Sequence, residues 1–149
     1  MCGIAGFFDT AVSEMEKRAI GDKMLKRISH RGPDATKSYV DDNVFLGHNR
    51  LSIIDLSTEA DQPFMVDHMI MVYNGEVYNY VEIRGELEVL GHTFRTASDT
   101  EVIIRSYIQW GENCVERFVG MWSFVMYNKN SGDIFCSRDR FGIKPFYYI

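Results

Sequence analysis

The sequence predicts an α+β fold with mainly antiparallel sheets, and three observations predict it. Short apolar segments with the composition of strands lie within residues 3–8, 37–54, 69–73 and 118–137. Helical signals occupy residues 13–29, 80–90 and 98–110, so the last two helices follow one another without a strand between them. Runs of strands and runs of helices are typical of α+β proteins, whereas regular βα alternation indicates a parallel sheet. The length of 149 residues suits one domain with a core of its own.

The first half of the chain combines strands with one helix. Residues 3–8 are apolar and aromatic, which predicts a buried strand. Ser13 is suited to cap a helix that continues to about Ser29. Helical spacing gives this helix an apolar face made of Met15, Ala19, Met24, Leu25 and Ile28. Turn residues at 30–34 end the helix, and two or three strands are expected between Lys37 and Ile54, with a hairpin turn at residues 41–43.

The second half begins with a polar loop at residues 55–63 and an apolar strand from Met69 to Tyr73. A helix from Tyr80 to Leu90 stops at Gly91, a good C-cap. Ser98 and Glu101 have the spacing of a capping box for a helix that reaches about Trp110. We expect a short helix at 114–118 and a strand pair at 118–127 and 134–137. The apolar run at 146–149 looks like a strand, and it favours a chain cut at a domain boundary.

Composition excludes several classes of function. Lys and Arg number 16 against 21 Asp and Glu, so the net charge of −5 opposes binding to nucleic acid. No apolar run approaches the ~20 residues of a membrane span. The three cysteines, Cys2, Cys114 and Cys136, form no CxxC pair and no even disulfide set, which favours a reducing, cytoplasmic compartment. A signal peptide is not expected, because the short apolar start ends at Asp9.

Cys2 is the sharpest chemical feature. If Met1 is removed, Cys2 carries both a thiol and a free α-amine. A free thiol has a pKa of about 8.5, and an α-amine with a pKa of about 7.7–8.0 can take its proton, so nucleophile and base would share one residue. The small side chain at position 2 favours removal of Met1. The alternative is a passive small hydrophobic residue, the commoner fate of a cysteine, and this interpretation is favoured for Cys114 and Cys136.

Asn74 and Gly75 follow an apolar strand and precede Glu76. An Asn amide and a Gly backbone N–H are two neutral donors suited to a developing oxyanion, each worth about 10²–10³ in rate. The competing interpretation is a hairpin turn, because Asn-Gly is a strong turn signal. Taken alone, the dipeptide predicts the turn.

Arg50 and Asp99 are candidate ligands for a small zwitterion. An arginine binds a carboxylate through its planar fork, and a carboxylate binds an ammonium group. Each residue also has a plainer interpretation, a solvated surface charge for Arg50 and a helix N-terminal acid for Asp99. The four histidines, His30, His48, His68 and His92, show no metal-ligand spacing, and no GxGxxG or phosphate loop occurs.

Six motifs occur in order along the chain: MCGIAG at 1–6, HRGPD at 30–34, HNRLSIID at 48–55, NGEVYN at 74–79, SDTE at 98–101 and RDRFGIKP at 138–145. Each motif alone is a weak signal, but six of them in this order along one chain are a specific one. Together they resemble the glutaminase domain of glutamine-dependent asparagine synthetases, a class II glutamine amidotransferase, over essentially the whole chain.

The resemblance implies an N-terminal nucleophile hydrolase fold, a four-layer αββα sandwich of two antiparallel sheets. It implies that residues 1–149 are one amidotransferase domain and that a C-terminal synthetase domain lies outside this chain. The roles it implies are a Cys2 nucleophile with its own amine as base, an oxyanion hole at Asn74 and Gly75, and a glutamine pocket. That pocket would comprise Arg50, the backbone of Leu51, Ser52, Ile53 and Ile54, and the residues Glu76 and Asp99, together with Asn74 and Gly75.

The implied reaction is hydrolysis of the L-glutamine side-chain amide to glutamate and ammonia. The ammonia would pass to an ATP-dependent synthetase domain of the same longer chain. No cofactor is expected in residues 1–149, and ATP with Mg²⁺ belongs only to that further domain. The acceptor stays open between aspartate and another acid such as a sugar acid, and a homodimer is one candidate assembly. Two alternatives remain: an N-terminal cysteine hydrolase of other amides, and a non-catalytic docking or regulatory domain.

Overall fold

A computed structural model describes residues 2–53 and 57–149. Seven strands and three α-helices follow one another in these residues. Their order is β1 (Gly3–Phe8), α1 (Glu14–Arg27), β2 (Ala35–Val40), β3 (Val44–Arg50), β4 (Phe64–Val66), β5 (Met69–Val77), α2 (Tyr80–Val89), α3 (Asp99–Trp110), β6 (Gly120–Asn128) and β7 (Ile134–Arg138). Short 3₁₀ segments lie at Ser29–Arg31, Thr58–Ala60 and Gly111–Arg117. The predicted α-helices and the strands predicted within residues 3–137 are present, and the short helix expected at 114–118 is part of a 3₁₀ segment. Strand β4 was missed.

The strands form two antiparallel sheets. The first has the order β1-β3-β2, and the second has the order β4-β5-β6-β7. In the first sheet Gly3 pairs with Asn49 and Ala35 pairs with Arg50, so the start of β1 and the end of β3 lie side by side. In the second sheet β5 and β6 pair over their whole length, from Met69 opposite Asn128 to Val77 opposite Gly120.

The two sheets pack face to face with helices on the outside. One buried cluster joins the sheets and comprises Val44, Leu46, Ile70, Val72 and Tyr127. A larger cluster joins the other face of the second sheet to α2 and α3, through residues such as Met71, Ile83 and Ile103. Helix α1 covers the outer face of the first sheet, where it contacts β3. The predicted αββα sandwich is therefore confirmed.

The central strand β3 explains how polar side chains enter the interior. All seven of its residues are buried, because α1 covers one face and the second sheet covers the other. Successive side chains of a strand point to opposite faces. Val44 and Leu46 face the second sheet, so His48 and Arg50 face it too, at the end of the strand where the apolar cluster stops.

The face of α1 differs from the prediction. Ser13 caps the helix with a full capping box to Glu16, as its position indicated. The buried helical residues are Lys17, Gly21 and Leu25, whereas Met15 and Ala19 are exposed. A Cβ at position 21 would lie 2.2 Å from the Phe45 ring, so this close approach requires glycine. The periodicity of apolar residues did not identify the buried face of α1, because a glycine and a lysine occupy two of its three buried positions.

Two further local predictions were wrong. Asn74-Gly75 is not a hairpin turn: β5 continues through it, with Asn74 opposite Ser123 and Gly75 opposite Trp122. Residues 146–149 form no strand, and Tyr147 and Tyr148 are exposed.

The start of α3 also differs from the capping box that was predicted. Ser98 caps the helix by accepting from the Thr100 N–H at 3.0 Å. The Glu101 carboxylate instead accepts from the backbone N–H groups of Arg95 and Thr96 and pairs with Arg105. In the described residues, none of the helices has the length and apolarity needed to cross a membrane.

Candidate active site

A cleft of about 120 Å³ opens where β1 begins and β3 ends, next to the start of α3. Its walls include a thiol, an arginine, two carboxylates and an asparagine amide, all within one small space: Cys2, Arg50, Glu76, Asp99 and Asn74. A wider surface groove of about 610 Å³ lies at the other end of the sheets, beside Phe8 and Asn43. That groove contains no cysteine and a single carboxylate, so the cleft is the better candidate for chemistry.

Cys2 is held at the mouth of the cleft by its neighbours in the first sheet. Because Gly3 pairs with Asn49, Cys2 lies beside Arg50 and the residue after it. The Leu51 N–H donates to Cys2 Sγ at 3.4 Å, and the thiol lies 3.6 Å from the Leu51 carbonyl oxygen. Arg31 Nη2 donates to the Cys2 carbonyl at 3.4 Å. The thiol is partly buried against the backbone of Leu51, and Arg31 holds the carbonyl of the same residue.

Asn74 and Gly75 lie on the cleft wall because β5 continues past the apolar cluster. The Asn74 side chain is on the same face of β5 as Ile70 and Val72, which face the first sheet. Asn74 is 4% exposed. A Cβ at position 75 would lie 2.3 Å from the Met121 carbonyl oxygen, so only glycine permits this approach of β5 to β6. Two neutral hydrogen-bond donors, an amide and a backbone N–H, are thereby available close together.

Arg50 is buried and anchored rather than solvated. Its Nη1 donates to the Ser57 carbonyl at 2.7 Å and to Asp61, which also pairs with Lys37 at 2.8 Å. The cations beside Asp61 hold the pKa of its carboxyl below the usual value despite its burial. A guanidinium has five N–H donors in a planar fork. Arg50 therefore lines the cleft in a fixed orientation, which the sequence did not predict.

Asp99 lies at the first position of α3 and is 4% exposed. Its Oδ2 accepts from the Tyr73 hydroxyl at 2.8 Å and from the Val77 N–H at 3.1 Å. Burial raises the pKa of Asp99, and the charge of Glu76 raises it further, while these hydrogen bonds oppose the shift. A cation bound beside Asp99 would stabilise its ionised form. The carboxylate is thus orientated and poorly solvated, which suits it to an ammonium group.

His48 lies deeper in the same cleft and is neutral. It is 1% exposed, and burial lowers its pKa to about 4. Its Nε2 lies 3.2 Å from the Tyr73 carbonyl oxygen, while its Nδ1 has no hydrogen-bond partner among the described residues. The histidine therefore lines the cleft without adding charge near neutral pH.

The structure brings most of the predicted site residues together. Those that line the cleft are Cys2, Arg50, Leu51, Ile53, Asn74, Gly75, Glu76 and Asp99. Ser52 does not line it, and its N–H donates to the Asp34 carboxylate at 2.8 Å. Ile54 lies outside the described residues. In residues 2–53 and 57–149, no three His, Cys, Asp or Glu side chains gather in a group able to hold a metal ion.

Several cleft residues were missed from the sequence: His48, Gln62, Tyr73, Ser98, Thr100, Met121 and Lys144. The sequence placed Lys144 in the last of the six motifs and Tyr73 at the end of a strand, and it predicted no role in the site for either residue. Tyr73 reaches Asp99 because it faces α3, on the opposite face of β5 from Asn74. The alternation along β5 would have revealed this, had the strand been extended through Asn74-Gly75.

Comparison with protein families matches residues 1–149 to a family described as a glutamine amidotransferase domain. Curated proteins with similar sequences include glutamine-hydrolysing asparagine synthetase 3 of Bacillus subtilis, 38% identical over 152 residues. A putative glutamine-hydrolysing asparagine synthetase 2 of Methanocaldococcus jannaschii is 42% identical over 168 residues. The asparagine synthetase of Zea mays is 36% identical over 149 residues. Each alignment covers 99% of this chain, but only 25%, 32% and 25% of the respective relative.

Among solved structures, the fold resembles a glutamine phosphoribosylpyrophosphate amidotransferase of B. subtilis, with a TM-score of 0.60. The match covers 71% of this chain and 25% of the other, at 24% sequence identity. At this identity the likeness supports the fold. It agrees with the two facing antiparallel sheets and their outer helices.

Proposed function

This chain belongs to the glutamine amidotransferase domain family, and from that premise we propose that it hydrolyses L-glutamine to glutamate and ammonia through Cys2. The observation that supports the proposal is the cleft itself. Cys2, Asn74 with Gly75, Arg50 and Asp99 are far apart in the sequence and line one space of about 120 Å³. That space offers a nucleophile, two oxyanion donors and two charges of opposite sign.

The nucleophile acts after Met1 has been removed. The α-amine of Cys2 takes the thiol proton, and the thiolate attacks the side-chain carbonyl carbon of glutamine. The carbonyl oxygen becomes an oxyanion that accepts hydrogen bonds from the Asn74 amide and the Gly75 N–H. The C–N bond then breaks, and the α-ammonium of Cys2 returns its proton to the nitrogen that leaves as ammonia. Water hydrolyses the remaining γ-glutamyl thioester, which releases glutamate and restores the thiol.

Arg50 and Asp99 select the substrate. The Arg50 guanidinium, held in place by Asp61, binds the α-carboxylate of glutamine, and Asp99 binds the α-ammonium. Fixing both ends of the zwitterion places the side-chain amide at the sulfur of Cys2. Leu51, Ile53 and Glu76 complete the proposed pocket, with Ser52 and Ile54 as predicted neighbours from the same segment.

The whole protein has a wider proposed role. Since the chain spans between a quarter and a third of the three relatives compared, we propose a synthetase domain in the same longer polypeptide. That domain would use ATP and Mg²⁺ to activate the ammonia acceptor, with aspartate as the proposed acceptor. The described cysteines are all unpaired, which supports a cytoplasmic location in this proposal. A homodimer is part of the same proposal.

A substrate series tests the proposal. We expect L-glutamine to be hydrolysed and L-asparagine to be left intact, since asparagine is one methylene shorter and its amide falls short of the Cys2 sulfur. Glutamine derivatives without the α-carboxylate or the α-ammonium should lose roughly 10⁴-fold in kcat/KM, because Arg50 or Asp99 is left unpaired in the cleft. Release of glutamate and ammonia is measured for each amide.

The same series separates the alternatives. An N-terminal cysteine hydrolase of other amides would prefer substrates with apolar acyl groups, such as bile-salt or penicillin amides. Preference for those amides over L-glutamine would contradict the proposal. Hydrolysis of none of the amides by protein whose Met1 has been removed would favour a non-catalytic domain.

A further inference from the structure

The motif at residues 138–145 lies against the cleft, and the mechanism above gives it no role. After β7 ends at Arg138, the chain turns back towards the cleft through residues 139–144. The buried Asp139 carboxylate organises this turn. It accepts hydrogen bonds at 2.9–3.3 Å from four backbone N–H groups, those of Trp122, Phe141, Ile143 and Lys144.

Arg138 provides a second clamp on the same turn. Its Nε donates to the Lys144 carbonyl at 2.6 Å, and its Nη2 donates to the Gly142 carbonyl at 2.6 Å. Gly142 has a φ of 63°, in the left-handed region that favours glycine. The backbone of Lys144 is thus held by side chains on both sides, so the direction of its side chain is fixed by the fold.

The Lys144 side chain enters the cleft. Lys144 is 2% exposed and shares the lining with Cys2 and Glu76. Burial lowers the pKa of Lys144 and the charge of Arg31 lowers it further, whereas Glu76, Cys2 and Asp139 raise it. A lysine is rarely buried unless a negative charge or hydrogen-bond acceptors compensate its ammonium group. Cys2 is among the groups whose ionised form would provide that compensation.

We propose that Lys144 is a positioning residue of the glutaminase site, whose ammonium group stabilises the thiolate form of Cys2. The inference rests on the proposed function, because it concerns the same nucleophile. Lys144 and Cys2 line the same cleft. An opposite charge nearby favours an ionised group, and partial burial strengthens the interaction.

Other groups around the thiol constrain its titration. The charged or titratable side chains that line the cleft or contact Cys2 are Arg31, His48, Arg50, Tyr73, Glu76 and Asp99. Burial keeps the pKa of Tyr73 well above its usual value, and the pKa of His48 is about 4, so neither gains charge near neutral pH. The guanidinium groups of Arg31 and Arg50 favour a thiolate, and the carboxylates of Glu76 and Asp99 oppose it. The α-amine of Cys2 titrates in the same pH range as the thiol and is present in every variant, so the variants are compared by the shift of the midpoint relative to the wild type.

The test is the pH dependence of Cys2 alkylation by iodoacetamide, with the modified residue identified by peptide mapping. We expect Lys144→Met and Lys144→Gln each to raise the pH midpoint of alkylation by about one unit, which is about tenfold slower reaction below the midpoint. Lys144→Arg restores the charge and should return the midpoint towards that of the wild type. Lys129→Met is the matched control, because Lys129 is exposed in the β6–β7 turn at the far end of the sheet.

Thermal unfolding of each variant shows which ones are folded. An unchanged midpoint in a folded Lys144→Met or Lys144→Gln protein would overturn the proposal, as would an equal shift in Lys144→Arg. Iodoacetamide measures the thiolate and does not depend on turnover of glutamine. A Lys144-dependent midpoint in a protein that releases no glutamate would therefore support the electrostatic role and contradict only the proposed function.

Discussion

Cys2→Ser is expected to lower glutamate release by at least about 10³-fold, because a serine hydroxyl does not ionise at neutral pH and the nucleophile is lost. The variant should stay folded. The thiol contacts only the backbone of Leu51 among the hydrogen bonds described for it, and serine preserves both a donor and an acceptor there. Glutamate is measured by a coupled assay at saturating glutamine, with the melting temperature measured on the same sample.

Cys136→Ser is the matched control for the loss of a thiol. Cys136 is exposed on β7, outside the cleft, so full activity is expected in that variant. A Cys2→Ser protein that releases glutamate at the rate of the wild type would show that another residue is the nucleophile.

Asn74→Ala is expected to lower kcat by about 10²–10³ and to change KM little. The reason is that the amide hydrogen bond forms with the oxyanion, whose charge develops only in the transition state. In Asn74→Asp the new side chain has nearly the same shape as asparagine, but its ionised carboxylate donates no hydrogen bond. This variant should therefore lower kcat by at least as much as Asn74→Ala. Steady-state kinetics with L-glutamine separate the two parameters.

The control for an asparagine side chain is Asn130→Ala, an exposed position in the β6–β7 turn. It should leave both parameters unchanged. If Asn74→Ala raised KM strongly and left kcat unchanged, Asn74 would be a ground-state binding residue and the oxyanion role would be wrong.

The order of strands and helices was predictable, because helix caps and apolar strands leave local signals. The Ser13 cap and the Gly91 stop are of this kind, and both stand at the ends of helices as expected. The stacking of the two sheets was predicted only through the resemblance. Pairing of Gly3 with Asn49 across more than 40 residues has no local signal, and this pairing places Cys2 at the cleft.

Local rules failed where tertiary packing overrides them. Asn74-Gly75 has the composition of a turn, yet β6 pairs with it and holds it in a strand. Glu101 has capping-box spacing, yet the backbone of Arg95 and Thr96 provides the partners of its carboxylate. A distant strand pairs with Asn74-Gly75, and the loop just before α3 binds the Glu101 carboxylate, so in both cases other groups replace the partners that the local rule assumed.

The sequence predicted which residues form the site better than it predicted the contacts that hold them in place. The sequence alone singled out Cys2, Arg50 and Asp99 as candidate groups, and the structure places all three in one cleft. Neither composition nor spacing indicated that Asp61 holds Arg50, or that Tyr73 donates to Asp99. These supporting contacts join separate elements, so they depend on the packing of the sheets and α3.

Labelling with an electrophilic analogue of glutamine tests most directly whether Cys2, freed of Met1, is the nucleophile. A diazoketone analogue is incubated with the wild-type protein, the adduct is located by mass spectrometry, and the remaining glutamate release is measured. We predict one adduct per chain, on a peptide that begins at Cys2, with activity lost in proportion to labelling and with Cys114 and Cys136 unmodified. An adduct on Cys114 or Cys136, or full activity in protein completely labelled at Cys2, would contradict the proposed mechanism.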